Sequence, residues 1–164
     1  MEFCTSAEIL DFCLKNNIEC SEEKAKLFDR MSDMLEEFNS HTNVTALKTK
    51  KDICFKHFID SLGVLKYDII KKGAKTVDIG CGAGFPGVPL AIACPEAHVT
   101  LLDSLGKRMK WLEEILPQLG VRAQCVTARA EEAAAERRES YDYAVSRAVA
   151  RLNILLELTA PYVK

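Results

Sequence analysis

The chain has 164 residues, of which 48% are hydrophobic and 28% are charged. This composition supports a folded core and excludes a disordered tail, a collagen-like fibre and a mini-protein. The formal net charge of −2 argues against a general polyanion binder, although residues 1–40 carry a net charge of −6 and residues 41–164 a net charge of +4.

The seven cysteines are scattered, without a C-x-x-C pair or zinc-ligand spacing, and this pattern predicts reduced thiols and no metal site. The N-terminus lacks a basic flank that leads into an apolar run. The longest apolar stretch, residues 85–94, contains two prolines and is too short to span a bilayer. We therefore expect a cytoplasmic protein without a membrane segment.

The first part of the chain has a helical pattern. Residues 21–40 repeat apolar side chains at steps of three and four residues, and a further amphipathic segment runs from about Asp52 to Leu65. In that segment Phe55 and Phe58 are expected on the apolar face. Residues 1–65 are thus predicted to form an N-terminal helical extension.

Short β-rich runs alternate with helical patterns after residue 73. The predicted strands are 76–79, 98–103, 121–128 and 141–146, and the predicted helices are 86–94, 105–119, 131–138 and 149–158. This alternation predicts an α/β, Rossmann-like domain over residues 66–164, with helices on both faces of a parallel sheet. A fifth strand is expected to begin at Pro161.

A glycine-rich segment, Asp78–Gly87, lies where the first strand turns into the first helix. From Gly82 it reads G-x-G-x-x-G, the dinucleotide fingerprint, so an NAD-type site is one interpretation. An acid directly before the loop, Asp78, would repel a pyrophosphate and favour a ligand with an ammonium and a sulfonium. S-adenosylmethionine is such a ligand.

Two further acids follow the next two strands. Asp103 ends the second strand, where a carboxylate can accept hydrogen bonds from ribose hydroxyls in either cofactor class. Glu131 follows the third strand, at the position expected for the adenine amine, and the backbone of Ala130 is a candidate donor. Either acid alone is also typical of a helix start, but their order after the glycines favours an adenosine site.

Six stretches together resemble one known family: Asn43–Ala46, His57–Leu62, Asp78–Ile92, Leu101–Arg108, Ala130–Glu131 and Ser146–Ala150. They are similar to the bacterial RsmG proteins, also called GidB, the ribosomal small-subunit RNA methyltransferases G. The resemblance covers most of residues 35–164. Its most specific part is the glycine loop ending in Gly-Phe-Pro-Gly, combined with the Leu-Asp-Ser and Ser-Arg-Ala stretches at these distances.

The resemblance implies a class I methyltransferase fold, S-adenosylmethionine as cofactor, and methylation of N7 of a guanine in the 530 loop of 16S rRNA. The implied partner is 16S rRNA or the small ribosomal subunit. The residues it implies as cofactor contacts are Gly80, Phe85, Ala130, Glu131 and Arg147, to which the loop position Gly82 and the strand-end acid Asp103 are added here. Relatives usually have Ser or Thr in place of Cys81. They also continue further, so we expect C-terminal strands of the sheet to be missing.

Guanine N7 is already a nucleophile, so positioning is the main catalytic requirement and no residue is assigned as a general base. For the substrate, the candidates are Arg151 and the residues His57, Asp60 and Ser61, which are expected to share a polar helix face. A salt-bridged helix start and a solvated helix are the structural alternatives. For the function of the whole chain, two alternatives remain: an NAD-dependent oxidoreductase, and a non-catalytic module that binds a cofactor or RNA. A monomer is expected.

Overall fold

The computed structural model describes residues 4–42 and 49–164. Asn43–Ala46, which carry part of the family resemblance, and the basic residue Lys48 lie outside the described residues. The chain divides into two compact units, residues 1–69 and 70–164. The domain boundary after residue 65 stays a prediction.

The N-terminal unit is helical, as the pattern predicts. Its elements are α1 (Thr5–Lys15), α2 (Glu22–Thr42), α3 (Lys50–Ile53), a π-helical segment (Cys54–Ile59), α4 (Asp60–Leu62) and a 3₁₀ helix (Gly63–Tyr67). Phe28 of α2 is fully buried and meets Phe58 edge to face, with ring centroids 5.2 Å apart. Aromatic packing of this kind holds the helices of the unit together.

The π-helical segment changes which side chains face inward. Phe55, expected on the apolar face, is 41% exposed, whereas Ser61, expected on the polar face, is 3% exposed. Both expectations are wrong because a π-helix bonds each residue to the fifth one along, which shifts the phase of an α-helical pattern. Within the described residues, no helix is both long and apolar enough to cross a membrane.

The C-terminal unit is built on a four-stranded parallel sheet with the order β3-β2-β1-β4. Its strands are β1 (Lys75–Ile79), β2 (His98–Asp103), β3 (Ala123–Thr127) and β4 (Tyr143–Val145), and its helices are α5 (Gly87–Ala93), α6 (Gly106–Leu119), α7 (Ala130–Arg137) and α8 (Leu152–Thr159). The α/β, Rossmann-like fold is confirmed. The strand order reverses between β1 and β4, and ligands of such sheets bind outside the carboxyl ends of the strands at that point.

Helices cover both faces of the sheet. Val77, Ile79 and Leu102 form one buried cluster with α7 and Tyr162. On the other face, Gly87 at the start of α5 lies against Leu101. After its exposed first residue, each of β1 and β2 is buried to its end, as expected for central strands that are covered on both faces.

The end of the chain differs from the prediction. Residues Ala160–Tyr162 form a 3₁₀ helix, and Val163 makes a single parallel bridge to Tyr141. A strand starting at Pro161 is therefore wrong, because proline has a fixed φ and no N–H for a strand ladder.

Candidate functional site

The carboxyl ends of the strands enclose a cavity of about 190 Å³, called here the strand-end cavity. Its lining residues are Ile79, Gly80, Leu102, Asp103, Ser104, Ala128, Arg129, Ala130, Glu131, Val149 and Leu158. The structure thus brings together four of the residues predicted from the sequence: Gly80, Asp103, Ala130 and Glu131. A larger cleft of about 960 Å³ lies near the amino ends of β2 and β3 and is lined by other residues.

The glycine loop is held close to β2. The N–H groups of Gly80 and Cys81 both donate to the Leu102 carbonyl, at 2.8 and 3.1 Å. A Cβ on Gly84, whose φ is +92°, would lie 2.5 Å from Val88 Cγ2, and a Cβ on Gly87 would lie 2.3 Å from Leu101 Cδ2. These two glycines are therefore required for close packing of the loop and α5.

Asp78 lies beneath this loop and is fully buried. Its Oδ2 accepts a hydrogen bond from the Gly87 N–H at 2.7 Å, while its Oδ1 has no partner among the described residues. Burial raises the pKa of the Asp78 carboxyl to about 7, against lowering effects of the Gly87 N–H and of Arg147. The side chain of Asp78 therefore supports the loop from inside, and its electrostatic effect on a ligand stays a prediction.

Asp103 connects two loops at the end of β2. Its Oδ2 accepts from the Gly82 N–H and its Oδ1 from the Leu105 N–H, both at 2.9 Å. The Arg108 Nη1 atom lies 3.9 Å from Oδ2. Because each carboxylate oxygen has a second lone pair, Asp103 can still accept from a ligand hydroxyl, and its ribose role stays a prediction.

Ala130 and Glu131 open α7 at the far side of the cavity. Arg129 precedes them as the N-cap residue, and no side-chain cap bond to this helix start is found in the described structure. Glu131 is exposed, so its carboxylate is accessible. The first N–H groups of a helix have no intrahelical acceptor, which leaves donors next to this acceptor.

The segment after β4 forms the remaining wall. Ser146 Oγ donates to the Ile79 carbonyl at 2.8 Å, and the Arg147 guanidinium lies over the Phe85 ring at 5.3 Å from its centroid. Val149 covers Gly80 so closely that a Cβ there would lie 2.4 Å from Val149 Cγ2. Sequence reasoning missed Val149, since an apolar residue early in a predicted helix gives no signal of a site.

The predicted substrate residues lie in both units. His57 belongs to the π-helical segment, Asp60 is exposed, and the Ser61 hydroxyl donates to the His57 carbonyl at 2.5 Å. Arg151 is the exposed residue that precedes α8. Their substrate roles stay predictions.

The cysteine nearest the site is unsuited to covalent chemistry. Cys81 is 2% exposed, and burial raises the pKa of its thiol, so the reactive thiolate is disfavoured. Its Sγ contacts Met109 Sδ at 3.8 Å. In the ranges 4–42 and 49–164, no group of three His, Cys, Asp or Glu side chains is arranged to hold a metal ion.

Comparison with known sequences identifies one family. The model of the family described as rRNA small subunit methyltransferase G matches residues 24–164. A relative from Alkaliphilus oremlandii (strain OhILAs), named ribosomal RNA small subunit methyltransferase G, is 45% identical over 151 residues, which are 90% of this chain and 63% of the relative. The chain therefore spans less than two thirds of that relative's length.

Comparison with solved structures concerns the fold. M. jannaschii TYW2 in complex with AdoMet is 18% identical, with a TM-score of 0.52, over 58% of this chain and 43% of that chain. The precorrin-6y C5,15-methyltransferase of Geobacter metallireducens GS-15 is 16% identical, with a TM-score of 0.52, over 64% of this chain and 55% of the other. These similarities confirm the class I methyltransferase fold.

Proposed function

The chain belongs to the rRNA small subunit methyltransferase G family, and we propose that it is part of an S-adenosylmethionine-dependent methyltransferase. Its proposed substrate is N7 of a guanine in the 530 loop of 16S rRNA, so the partner is 16S rRNA or the small ribosomal subunit. The observation that carries this proposal is the strand-end cavity, where Gly80, Asp103 and Glu131 meet.

The two sides of the strand-end cavity suit the adenosine part of the cofactor. Glu131 offers an exposed carboxylate to the adenine amine, beside the N–H groups that begin α7. Asp103 faces the same cavity and has acceptor capacity for ribose hydroxyls. Gly80 lines the same cavity, and its lack of a side chain makes room for Val149 at this point.

Arg147 and Phe85 suit the amino-acid part. The guanidinium of Arg147 is held over the Phe85 ring, where it is half-buried rather than extended into solvent. A half-buried guanidinium is a strong partner for a carboxylate. Gly82 completes this set, because its N–H bond to Asp103 fixes the loop between the two parts of the proposed site.

The residues of the site position the cofactor and the base, and they do not transfer protons. When bound, S-adenosylmethionine supplies an electrophilic methyl group. Guanine N7 carries an in-plane lone pair, so alignment of the base is the requirement, and no residue needs to act as a general base. The buried Cys81 and the loop-supporting Asp78 fit this assignment, since neither side chain is presented to a substrate.

Substrate contacts are proposed for His57, Asp60, Ser61 and Arg151. We further propose that residues 1–65 are a helical extension of a methyltransferase domain at 66–164, and that the protein acts as a monomer in the cytoplasm. Ser61 would act through its bond to the His57 carbonyl, because its hydroxyl is buried.

Calorimetric titration with S-adenosylhomocysteine and with NAD tests the cofactor class. We expect binding of S-adenosylhomocysteine and none of NAD, and the reverse result would favour an oxidoreductase. Transfer of a labelled methyl group to 30S subunits or 16S rRNA then tests the reaction, with mapping of the modified guanine. Cofactor binding without methyl transfer by the folded chain would favour a non-catalytic module.

A further inference from the structure

Tyr162 contacts the backbone of Ala130, one of the residues predicted to bind adenine. It is fully buried and follows α8 in the short 3₁₀ helix Ala160–Tyr162. Its hydroxyl donates a hydrogen bond of 2.6 Å to the backbone carbonyl of Ala130, 32 positions earlier. A residue distant in sequence therefore contacts the first residue of α7, one of the residues that line the strand-end cavity.

The start of α7 is held without a side-chain cap bond in the part of the chain that the structure describes. A helix start is usually held by a Ser, Thr, Asp or Asn N-cap, but here the N-cap residue is Arg129, and no side-chain cap bond is found among the described residues. Residues Ala130 to Glu132 are half-buried or exposed, and Ala133 is the one buried residue of α7. The Tyr162 hydroxyl bond thus holds this turn through the Ala130 carbonyl, while the first N–H groups of α7 have no side-chain acceptor among the described residues.

The surroundings of Tyr162 keep its hydroxyl a donor. Tyr162 packs against Tyr141, with ring centroids 6.1 Å apart, in the cluster that includes Val77 and Ile79. Burial raises the pKa of the Tyr162 phenol to about 12, with a further contribution from Tyr141. The hydroxyl is therefore protonated throughout the ordinary pH range and donates to the Ala130 carbonyl.

We propose that Tyr162 is a positioning residue for adenine recognition: by holding the Ala130 carbonyl, it aims the first N–H groups of α7 and the Glu131 carboxylate into the strand-end cavity. This inference rests on the proposed function. It assigns to Tyr162 a share of the discrimination between adenine and other bases, although Tyr162 does not line the cavity.

The test compares Tyr162→Phe with Tyr141→Phe. Tyr141 is a matched control because it belongs to the same cluster, is 6% exposed, and loses only an acceptor for Arg137 Nη1 at 3.4 Å. Affinities are measured by calorimetry for S-adenosylhomocysteine and for S-inosylhomocysteine, in which an oxygen replaces the adenine amine. Near-ultraviolet circular dichroism and thermal unfolding report whether each variant is folded.

We expect the wild-type chain to prefer S-adenosylhomocysteine. Tyr162→Phe should weaken binding of that ligand about three- to tenfold, the range for loss of one net hydrogen bond, and leave S-inosylhomocysteine nearly unchanged. The ratio of the affinities for S-adenosylhomocysteine and S-inosylhomocysteine then decreases in Tyr162→Phe and stays unchanged in Tyr141→Phe. Equal weakening of both ligands, or an unchanged preference, would show a general structural role and overturn the inference alone.

Two outcomes separate this inference from the function on which it rests. If the wild-type chain binds no S-adenosylhomocysteine, the proposed function is overturned and the inference with it. If Tyr162→Phe fails to fold, hydrogen exchange on the wild-type chain decides: the amides of residues 130–133 must exchange more slowly when S-adenosylhomocysteine is bound. No slowing with the ligand bound would overturn the inference.

Discussion

The two walls of the strand-end cavity are built differently. On the glycine-loop side, every residue from Cys81 to Ala93 is buried except the half-buried Gly82. On the opposite side, α7 has one buried residue and α8, which the structure describes in full, has none. The first wall is fixed by core packing, so changes there act on folding. The second wall is exposed, so changes there act on what the protein binds.

Asp78 gives the largest expected effect on the packed wall. Because burial raises the pKa of its carboxyl to about 7, the folded chain binds a proton more tightly than the unfolded chain, whose Asp78 has the ordinary value of 3.8. This stabilisation is complete below about pH 4 and is lost as the pH rises through 7. The free energy of unfolding of the wild type should therefore fall by roughly 4 kcal/mol over that window relative to Asp78→Asn.

Urea denaturation of both chains at several pH values measures this difference. Asp142→Asn is a control of opposite sign, because hydrogen bonds from the Lys164 side chain and the Lys75 N–H lower the pKa of the Asp142 carboxyl. A parallel pH dependence in wild type and Asp78→Asn would contradict the buried, proton-binding role of Asp78.

Gly87→Ala should destabilise the fold at the same wall by about 1–3 kcal/mol, the range for overpacking a core. The new Cβ would lie 2.3 Å from Leu101 Cδ2 and 2.8 Å from Asp78 Oδ2, so the start of α5 must move away from β1 and β2. Gly106→Ala is the control, since its Cβ would meet only Thr127 Cγ2 at 3.9 Å. Equal unfolding free energies for the two variants would mean that α5 is not packed as described.

Glu131→Gln probes the exposed wall. We expect S-adenosylhomocysteine to bind about three- to tenfold more weakly, because a neutral amide is a poorer acceptor than a carboxylate. The free energy of unfolding should change by less than about 0.5 kcal/mol, since Glu131 is exposed. The control is Glu132→Gln, its exposed neighbour. Equal losses of affinity for the two variants would contradict a specific role for Glu131.

Sequence periodicity predicted the sheet well because its central strands are buried on both faces. The bounds of β2 are those predicted, and the observed β3 lies within the predicted run. The glycine loop, Asp103 and Glu131 follow three successive strands, and this order in the sequence likewise predicted that Gly80, Asp103 and Glu131 meet at one cavity. They meet because parallel strands present their carboxyl ends at one edge of the sheet.

The remaining differences depend on tertiary contacts. The burial of Asp78 beneath Gly87 follows from how α5 returns over β1, and the cover of Gly80 by Val149 depends on the path after β4. The π-helical phase at Phe55 and Ser61 is set by packing within the helical unit. None of these features has a local pattern, so sequence reasoning assigned the residues to ordinary helix faces or to a ligand.

The smallest expected effect concerns RNA binding at the start of α6, which follows β2 at the carboxyl edge of the sheet. Lys107 and Lys110 are exposed within the first two turns of α6, whose first turn has no acidic residue and where the macrodipole does not favour cations. Lys107→Ala/Lys110→Ala should weaken binding of a 16S rRNA fragment about two- to threefold and reduce the slope of log affinity against log salt by roughly 1 to 2. Lys71→Ala/Lys72→Ala, which removes lysines just before β1, is the control; there Lys72 pairs with Glu96. Fluorescence titrations at several salt concentrations measure both slopes, and equal slopes for the two double variants would contradict RNA contact at the carboxyl edge of the sheet.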